Sequence, residues 1–400
     1  MIERKEYLNK LKSLREKQII KVVTGVRRCG KSTLFKLYQE HLLESGVLPE
    51  QIISINLEDL EFEELLNYRE LYSYIKKRLY QNGYTYIFID EVQNCKDFEK
   101  AVDSLFIKEN TDVYITGSNA YMLSGELATL LSGRYITIDM LPLSFKEYID
   151  ANSETKKTTR ELFTDYIRFG SFPYLATITK DESVTESYIE GIYNTILVKD
   201  VAKREGISDI SMLESIVKVL ASSVGSPVST KKISDTINSA GRKTSVNSID
   251  AYMKALCDAY IFYKVDRFDI KGRQHLKTLG KYYIVDTGIR NLLLSSGASD
   301  IGHLIENIVY FELIRRGYKV NIGKLSEKEV DFVAKNGSGL EYYQISASVL
   351  DETTLSRELS PLESISDHFP KFLLTLDEVP KGANFNGIRH INLIDWLLDK

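Results

Sequence analysis

Cysteine is scarce in this chain: Cys29, Cys95 and Cys257 are the only three in 400 residues, and they lie far apart. That spacing excludes a disulfide framework, and with five scattered histidines it excludes a zinc site. Long apolar runs are lacking as well. No stretch approaches the roughly 18 apolar residues that a membrane-spanning helix needs. The opening MIERKEYLNKLKSLREKQ has no apolar core, so no secretory signal is expected. No internal repeat is visible. Strong net charge is missing too: 52 basic and 56 acidic residues leave −4, which predicts no global affinity for nucleic acid. These absences lead us to expect a reduced, cytoplasmic protein with no membrane partner. What is present is a globular composition, 43% hydrophobic and 27% charged, at a length suited to several domains.

The first segment alternates apolar strand-like runs with helical ones. IIKVVTG is followed by STLFKLYQEHLLESG, and then come QIISINLED, YTYIFIDEV, DVYITGSN and RYITIDML. Such alternation predicts an α/β core with a mostly parallel sheet. After LPLSF the pattern is helical to about residue 225, broken at FGSFP by Gly170 and Pro173. SMLESIVKVLASSVG, STKKISDTINSAG and TSVNSIDAYMKALCDAY then read as helices. IFYKVDRFD and KYYIVD read as a strand pair around a basic loop, the pattern of a winged helix-turn-helix. The last stretch, from GHLIENIVYFELIRRG to INLIDWLL, is a second, smaller α/β unit. The expected domains are a core at 1–141, a helical lid or connector at 142–225, a winged helix at 226–298 and the α/β unit at 299–400.

GVRRCGKS fits G-x-x-x-x-G-K-[ST] completely. Gly25 and Gly30 allow a tight loop whose backbone N–H groups turn inward around phosphate oxygens. Across Gly25, Val26, Arg27, Arg28, Cys29, Gly30, Lys31, Ser32 and Thr33, Lys31 would reach the β- and γ-phosphates and Ser32 would ligate Mg²⁺. The following helix aims its positive end at the same charges. A fortuitous glycine turn would also match, so a second element is needed. YIFIDEV supplies it. Asp90 and Glu91 stand at the carboxyl end of a buried strand, where α/β sheets bind ligands. Asp90 would hold the Mg²⁺ shell, and Glu91 would polarise the attacking water. Ser118 and Asn119 end the next strand, either to sense the γ-phosphate or as an ordinary turn. Arg134 precedes RYITIDM's strand, either as a catalytic arginine or as a surface residue. Cys29 is a redox switch or simply a small loop residue.

KVVTGVRRCGKSTL, YIFIDEVQN, TGSNAYML, LSGRYITIDMLPLSFKEY, FGSFPYL, KYYIVDTGIR and the tail GHLIENIVYFELIRRGY…EVDF…YYQISASVLDETTLSREL occur in fixed order over nearly the whole chain. With them the sequence resembles the bacterial and archaeal AAA-type P-loop ATPases that end in a restriction-endonuclease-like domain. The resemblance implies ATP as the nucleotide, an additional-strand ATPase core, a winged helix and a nuclease-like tail. It also implies an arginine-finger position for Arg134, acting within the chain or on a neighbour.

Nucleases of the restriction type use a helix glutamate, a strand aspartate and an acid-x-lysine on the next strand to hold Mg²⁺ and activate water. Glu306 and Asp331 match the first two. Gln344 and Ser346 stand where the acid and lysine belong, so a degenerate site with little nuclease activity is expected. From Lys231 to Lys281 there are 11 basic and 5 acidic residues. Arg242, Lys243, Lys271 and Arg273, with His275 and Lys277, are candidate DNA contacts. The same module can equally dock protein. The first 36 residues carry 11 basic and 3 acidic side chains, either steering anionic nucleotide or forming a solvated face. The expected function is slow, Mg²⁺-dependent ATP hydrolysis coupled to domain rearrangement, with DNA, a protein partner or a second copy engaged. The competing readings are an ATP-gated nuclease using Glu306 and Asp331, and a nucleotide-binding adaptor that does not hydrolyse.

Overall fold

The computed structural model describes residues 2–118, 131, 133–178, 181–294 and 301–399. Asn119 and the Lys277 side chain lie outside that description. The chain divides into two compact units, Met1–Pro142 with Asp258–Tyr260, and Leu143–Cys257 with Ile261–Lys400.

In the first unit, helix α1 (Lys5–Ser13) precedes five strands: β1 (Ile20–Thr24), β2 (Ile52–Asn56), β3 (Thr85–Asp90), β4 (Thr111–Gly117) and β5 (Tyr135–Asp139). They form one sheet in the order β2-β3-β4-β1-β5, with every neighbouring pair parallel. β1 and β3 read as near-continuous apolar runs because both faces of a parallel sheet are covered, and every residue in the two strands is buried. Alternation along β3 shows how. Ile87 and Ile89 join Leu71 and Ile75 of α3 (Tyr68–Lys76) and Val102 and Leu105 of α4 (Phe98–Phe106) in one cluster. Phe88 faces the other way. It stacks on Tyr114 at 4.7 Å and meets Phe35 of α2 (Lys31–Glu44) edge-on at 5.2 Å. The register aligns the carboxyl ends at one edge, with Thr24 opposite Gly117 and Asn56 opposite Asp90.

The second unit opens with helices α5 (Phe145–Ala151), α6 (Thr159–Phe169) and α7 (Glu182–Thr195), which runs on as a π-helical segment over Ile196–Lys203. Next come α8 (Ile210–Ser222), α9 (Thr230–Ser239), α10 (Val246–Asp258) and the hairpin β6 (Phe262–Asp269)–β7 (Gln274–Ile284). α11 (Thr287–Leu294) and α12 (Ile301–Arg315) follow. The remaining elements are β8 (Lys319–Leu325), β9 (Lys328–Asn336), β10 (Gly339–Ser346), α13 (Glu352–Glu363), β11 (Lys371–Thr375), β12 (Asn384–Phe385), β13 (Ile388–Asn392) and α14 (Leu393–Leu397).

One mixed sheet of eight strands runs β12-β13-β11-β10-β9-β8-β6-β7. Three helices and a hairpin thus occur in the expected sequence, but the hairpin is not a free wing. β6 pairs in parallel with β8 at Arg267–Ile322, Phe268–Gly323 and Asp269–Lys324. A lone two-stranded ribbon is marginally stable in water, and joining the larger sheet satisfies one of its open edges. The expected boundary at 298/299 therefore does not separate two sheets. The two motifs FGSFP and VDTG dock on each other: Ser171 donates from its N–H and its hydroxyl to Asp286 Oδ2 at 2.6 and 2.9 Å. Burial pushes the Asp286 carboxyl up, and these two bonds oppose that shift.

Candidate functional site

β1 delivers the chain into the loop at Gly25, whose φ is +144°. A Cβ there would come within 2.1 Å of the Met140 carbonyl oxygen, so only glycine fits. Gly30, at φ +105°, turns the chain into α2. Within the loop Val26 and Cys29 are buried, Arg28 is exposed at φ +68°, and Arg27 pairs with Glu58 at 2.8 Å. Burial pushes the Cys29 thiol up, which argues against a reactive thiolate. Lys31, 4% exposed, donates to the carbonyls of Gly25 and Val26 at 3.0 and 3.3 Å. Its Nζ lies 3.8 Å from Glu91.

Asp90 and Glu91 leave the carboxyl end of β3 beside this loop. Burial raises the Asp90 carboxyl, while hydrogen bonds from the Ser32 and Thr116 hydroxyls oppose the rise. Glu91 is buried and sits at φ +51°, an uncommon conformation for a non-glycine residue and one that clusters at functional sites. Its N–H donates to Thr116 Oγ1 at 2.9 Å, and the same hydroxyl donates to Asp90. Gln93 donates through its amide to both Glu91 and Ser118. Thr116 and Gln93 escaped the sequence reading, although both lie inside the motifs that were singled out, DVYITGSN and YIFIDEVQN. Arg4 escaped it too. It is buried, and its guanidinium donates to the Cys29 carbonyl at 2.9 Å and the Leu141 carbonyl at 2.7 Å. One cation of the basic N-terminal stretch thus props the loop from behind.

Residues 17–149 match the family model described as an AAA domain, and residues 160–300 match one described as a domain of unknown function (DUF8612). An uncharacterized protein of Haemophilus influenzae is 37% identical over 401 residues, covering 100% of this chain and 99% of that one. The chain belongs to this family of AAA-type P-loop ATPases. An uncharacterized protein of Methanocaldococcus jannaschii is 31% identical over 362 residues, covering 86% of this chain and 78% of that one. The Walker-type ATPase PABY2304 of Pyrococcus abyssi shares the fold at TM-score 0.54 and 15% identity, covering 73% of this chain and 96% of that one.

The P-loop ATPase unit does not bring Arg134 to its own loop. The Ile20 N–H donates to the Arg134 carbonyl at 2.9 Å, so Arg134 sits at the amino-terminal edge of the sheet. The loop leaves the opposite edge, one five-residue strand away, which is roughly 16 Å and more than the side chain can span. Arg134 instead pairs with Asp103 at 3.2 Å, half in solvent.

Of the expected nucleic-acid contacts, Arg242 and Lys243 lie exposed on the turn between α9 and α10, where Arg242 donates to Ser211 Oγ at 2.7 Å. Lys271 and Arg273 lie exposed at the tip of the β6–β7 hairpin. Glu306, Asp331, Gln344 and Ser346 line one cleft of about 740 Å³. Among the described residues no helix is long and apolar enough to cross a membrane.

Proposed function

We propose that the ATPase unit binds Mg²⁺·ATP on Gly25–Thr33 and hydrolyses it slowly, and that turnover rearranges the second unit. The observation that carries this reading is the meeting of Lys31, Asp90 and Glu91 at one sheet edge, with the Thr116 hydroxyl accepting from the Glu91 N–H and donating to the Asp90 carboxylate. The Ser32 hydroxyl and the Asp90 carboxylate, already hydrogen-bonded to each other, are hard oxygen donors that suit Mg²⁺. When bound there, the ion would neutralise phosphate charge. Lys31 shifts from two loop carbonyls onto phosphate oxygens, and Glu91 orients and deprotonates the attacking water. The Gln93 amide already occupies a Glu91 oxygen and has to be displaced before Glu91 can engage water, which favours slow turnover. Because Arg134 stands at the far edge of the sheet, it serves the site of a second copy.

ATP hydrolysis by the wild type, Lys31→Ala and Glu91→Gln tests the reading. Glu91→Gln should keep ATP binding and lose hydrolysis by roughly 10²–10⁴-fold. Hydrolysis that survives Lys31→Ala unchanged would overturn it.

A further inference from the structure

The resemblance to restriction-type nucleases implies a divalent ion held by Glu306, Asp331 and the acid of the next strand. Paired as they are, with Lys281 on Glu306 and Glu329, the residues present do not fit one. The third position is Gln344, whose amide donates to Glu358 at 2.8 Å. Glu358 is further bound by Arg357 at 2.7 Å. Asp331 accepts from the Ile345 N–H at 2.8 Å. Glu306 Oε1 accepts from the Tyr283 hydroxyl at 2.6 Å, and its Oε2 lies against Gly225, where an added Cβ would come within 2.9 Å. Among the described residues no three potential ligands group around a metal position.

A cation is nevertheless present. Lys281, near the carboxyl end of β7, is 3% exposed. Its Nζ lies 3.0 Å from Glu306 and 2.9 Å from Glu329. A buried ammonium is tolerated only among opposite charges, and this one has two carboxylates in contact and Asp331 close by. Burial works to deprotonate it, but neighbouring carboxylates, Glu306 first and Glu329 in contact, outweigh burial and hold its pKa above the ordinary lysine value.

We infer that the Lys281 ammonium serves as the built-in counter-ion of this cleft, taking the charge-neutralising role of the divalent ion and excluding it. The lysine missing from the acid-x-lysine element is thus not simply lost. A lysine from another strand closes the site and fastens β7, the edge strand of the sheet, to α12 and β9. The unit is held by an internal salt link and needs no metal.

Nucleotide-free protein carrying Ser32→Ala, to silence the P-loop, is titrated with Mn²⁺ by electron paramagnetic resonance and by melting. The parent chain should bind no stoichiometric Mn²⁺, and its Tm should not move. Lys281→Met should melt lower by on the order of 10 °C. It should also gain one Mn²⁺ site that raises Tm again and disappears with Asp331→Asn. A stoichiometric Mn²⁺ in the parent that is lost with Asp331→Asn would overturn the inference. So would a folded Lys281→Met that gains no Mn²⁺. Should Lys281→Met fail to fold, Lys281→Gln, whose amide can still donate to Glu306, is read by the same two outcomes, and the parent titration stands by itself.

Discussion

Lys31 and Lys281 are nearly equally buried, at 4% and 3% exposure, and each lies beside glutamate. Their partners set them apart. Lys31 is held by two neutral carbonyls, with Glu91 at 3.8 Å. Lys281 is clamped by two carboxylates at 3.0 and 2.9 Å. An ammonium on weak, neutral acceptors can move onto an arriving phosphate at small cost. One locked between two anions in a low-dielectric site cannot. Burial of a charged side chain therefore does not mark function. What marks it is how readily the present partners can be exchanged.

The broadest test of this contrast exchanges the two phenotypes. Lys31→Ala should lower ATP turnover by at least roughly 10²-fold with little change in Tm. Lys281→Met should cost about 3–5 kcal/mol of stability in the second unit while turnover persists below its Tm. Calorimetry and a phosphate-release assay on both variants check the pair. If both lysines affected turnover alike, the contrast would fail.

Arg134 sharpens the same point, since it is neither clamped nor near its own loop. Arg134→Ala should reduce turnover by about 10³-fold. Wild-type turnover per chain should rise with protein concentration, and mixing Arg134→Ala with Lys31→Ala should recover part of it. Rates independent of concentration would remove the trans role.

A smaller effect concerns acids. Burial first, then the Glu306 charge, holds the Asp331 carboxyl well above the ordinary aspartate range. The folded chain therefore binds this proton more tightly than the unfolded chain. The stability it contributes is full in acid and is lost as pH climbs past the ordinary aspartate value of about 4. Lys281, Glu306 and Glu358 face the group, and the Lys281 charge and the Ile345 N–H oppose the shift. Asp331→Asn should raise Tm by about 2–4 °C at about pH 8, with the gain shrinking toward about pH 5. A gain that grew toward acid would reverse the assignment. Burial also raises Asp90, against two hydrogen bonds from the Ser32 and Thr116 hydroxyls.

The smallest expected effect lies on the surface. The triple change Arg242→Ala, Lys243→Ala, Arg273→Ala should weaken low-salt DNA binding and flatten its log–log salt slope by up to about three. Gel shifts over a salt series measure it, and an unchanged slope would remove DNA from these positions.

Much of the ATPase unit was legible because its signals are local. The loop glycines, Lys31 and Ser32 lie within eight residues, and Asp90 and Glu91 end a strand whose apolar run declares it. The alternation of apolar and helical runs also announced the parallel sheet, though not its order β2-β3-β4-β1-β5. The hairpin was legible as a hairpin, but its partner β8 begins 35 residues after β7 ends, and no local pattern announces that pairing.

The sequence by itself determined that a phosphate loop and a pair of strand-end acids exist. The reason is that backbone conformation and burial period are written over a few neighbouring residues. Only the tertiary structure decided that Thr116 joins the two acids, that Arg4 supports the loop, that Arg134 stands at the wrong edge for its own site, and that Lys281 answers Glu306. Those partners lie 25 to 137 residues apart or on opposite ends of a strand. Charge pairing acts through space, and its partners are chosen by packing after the chain has folded.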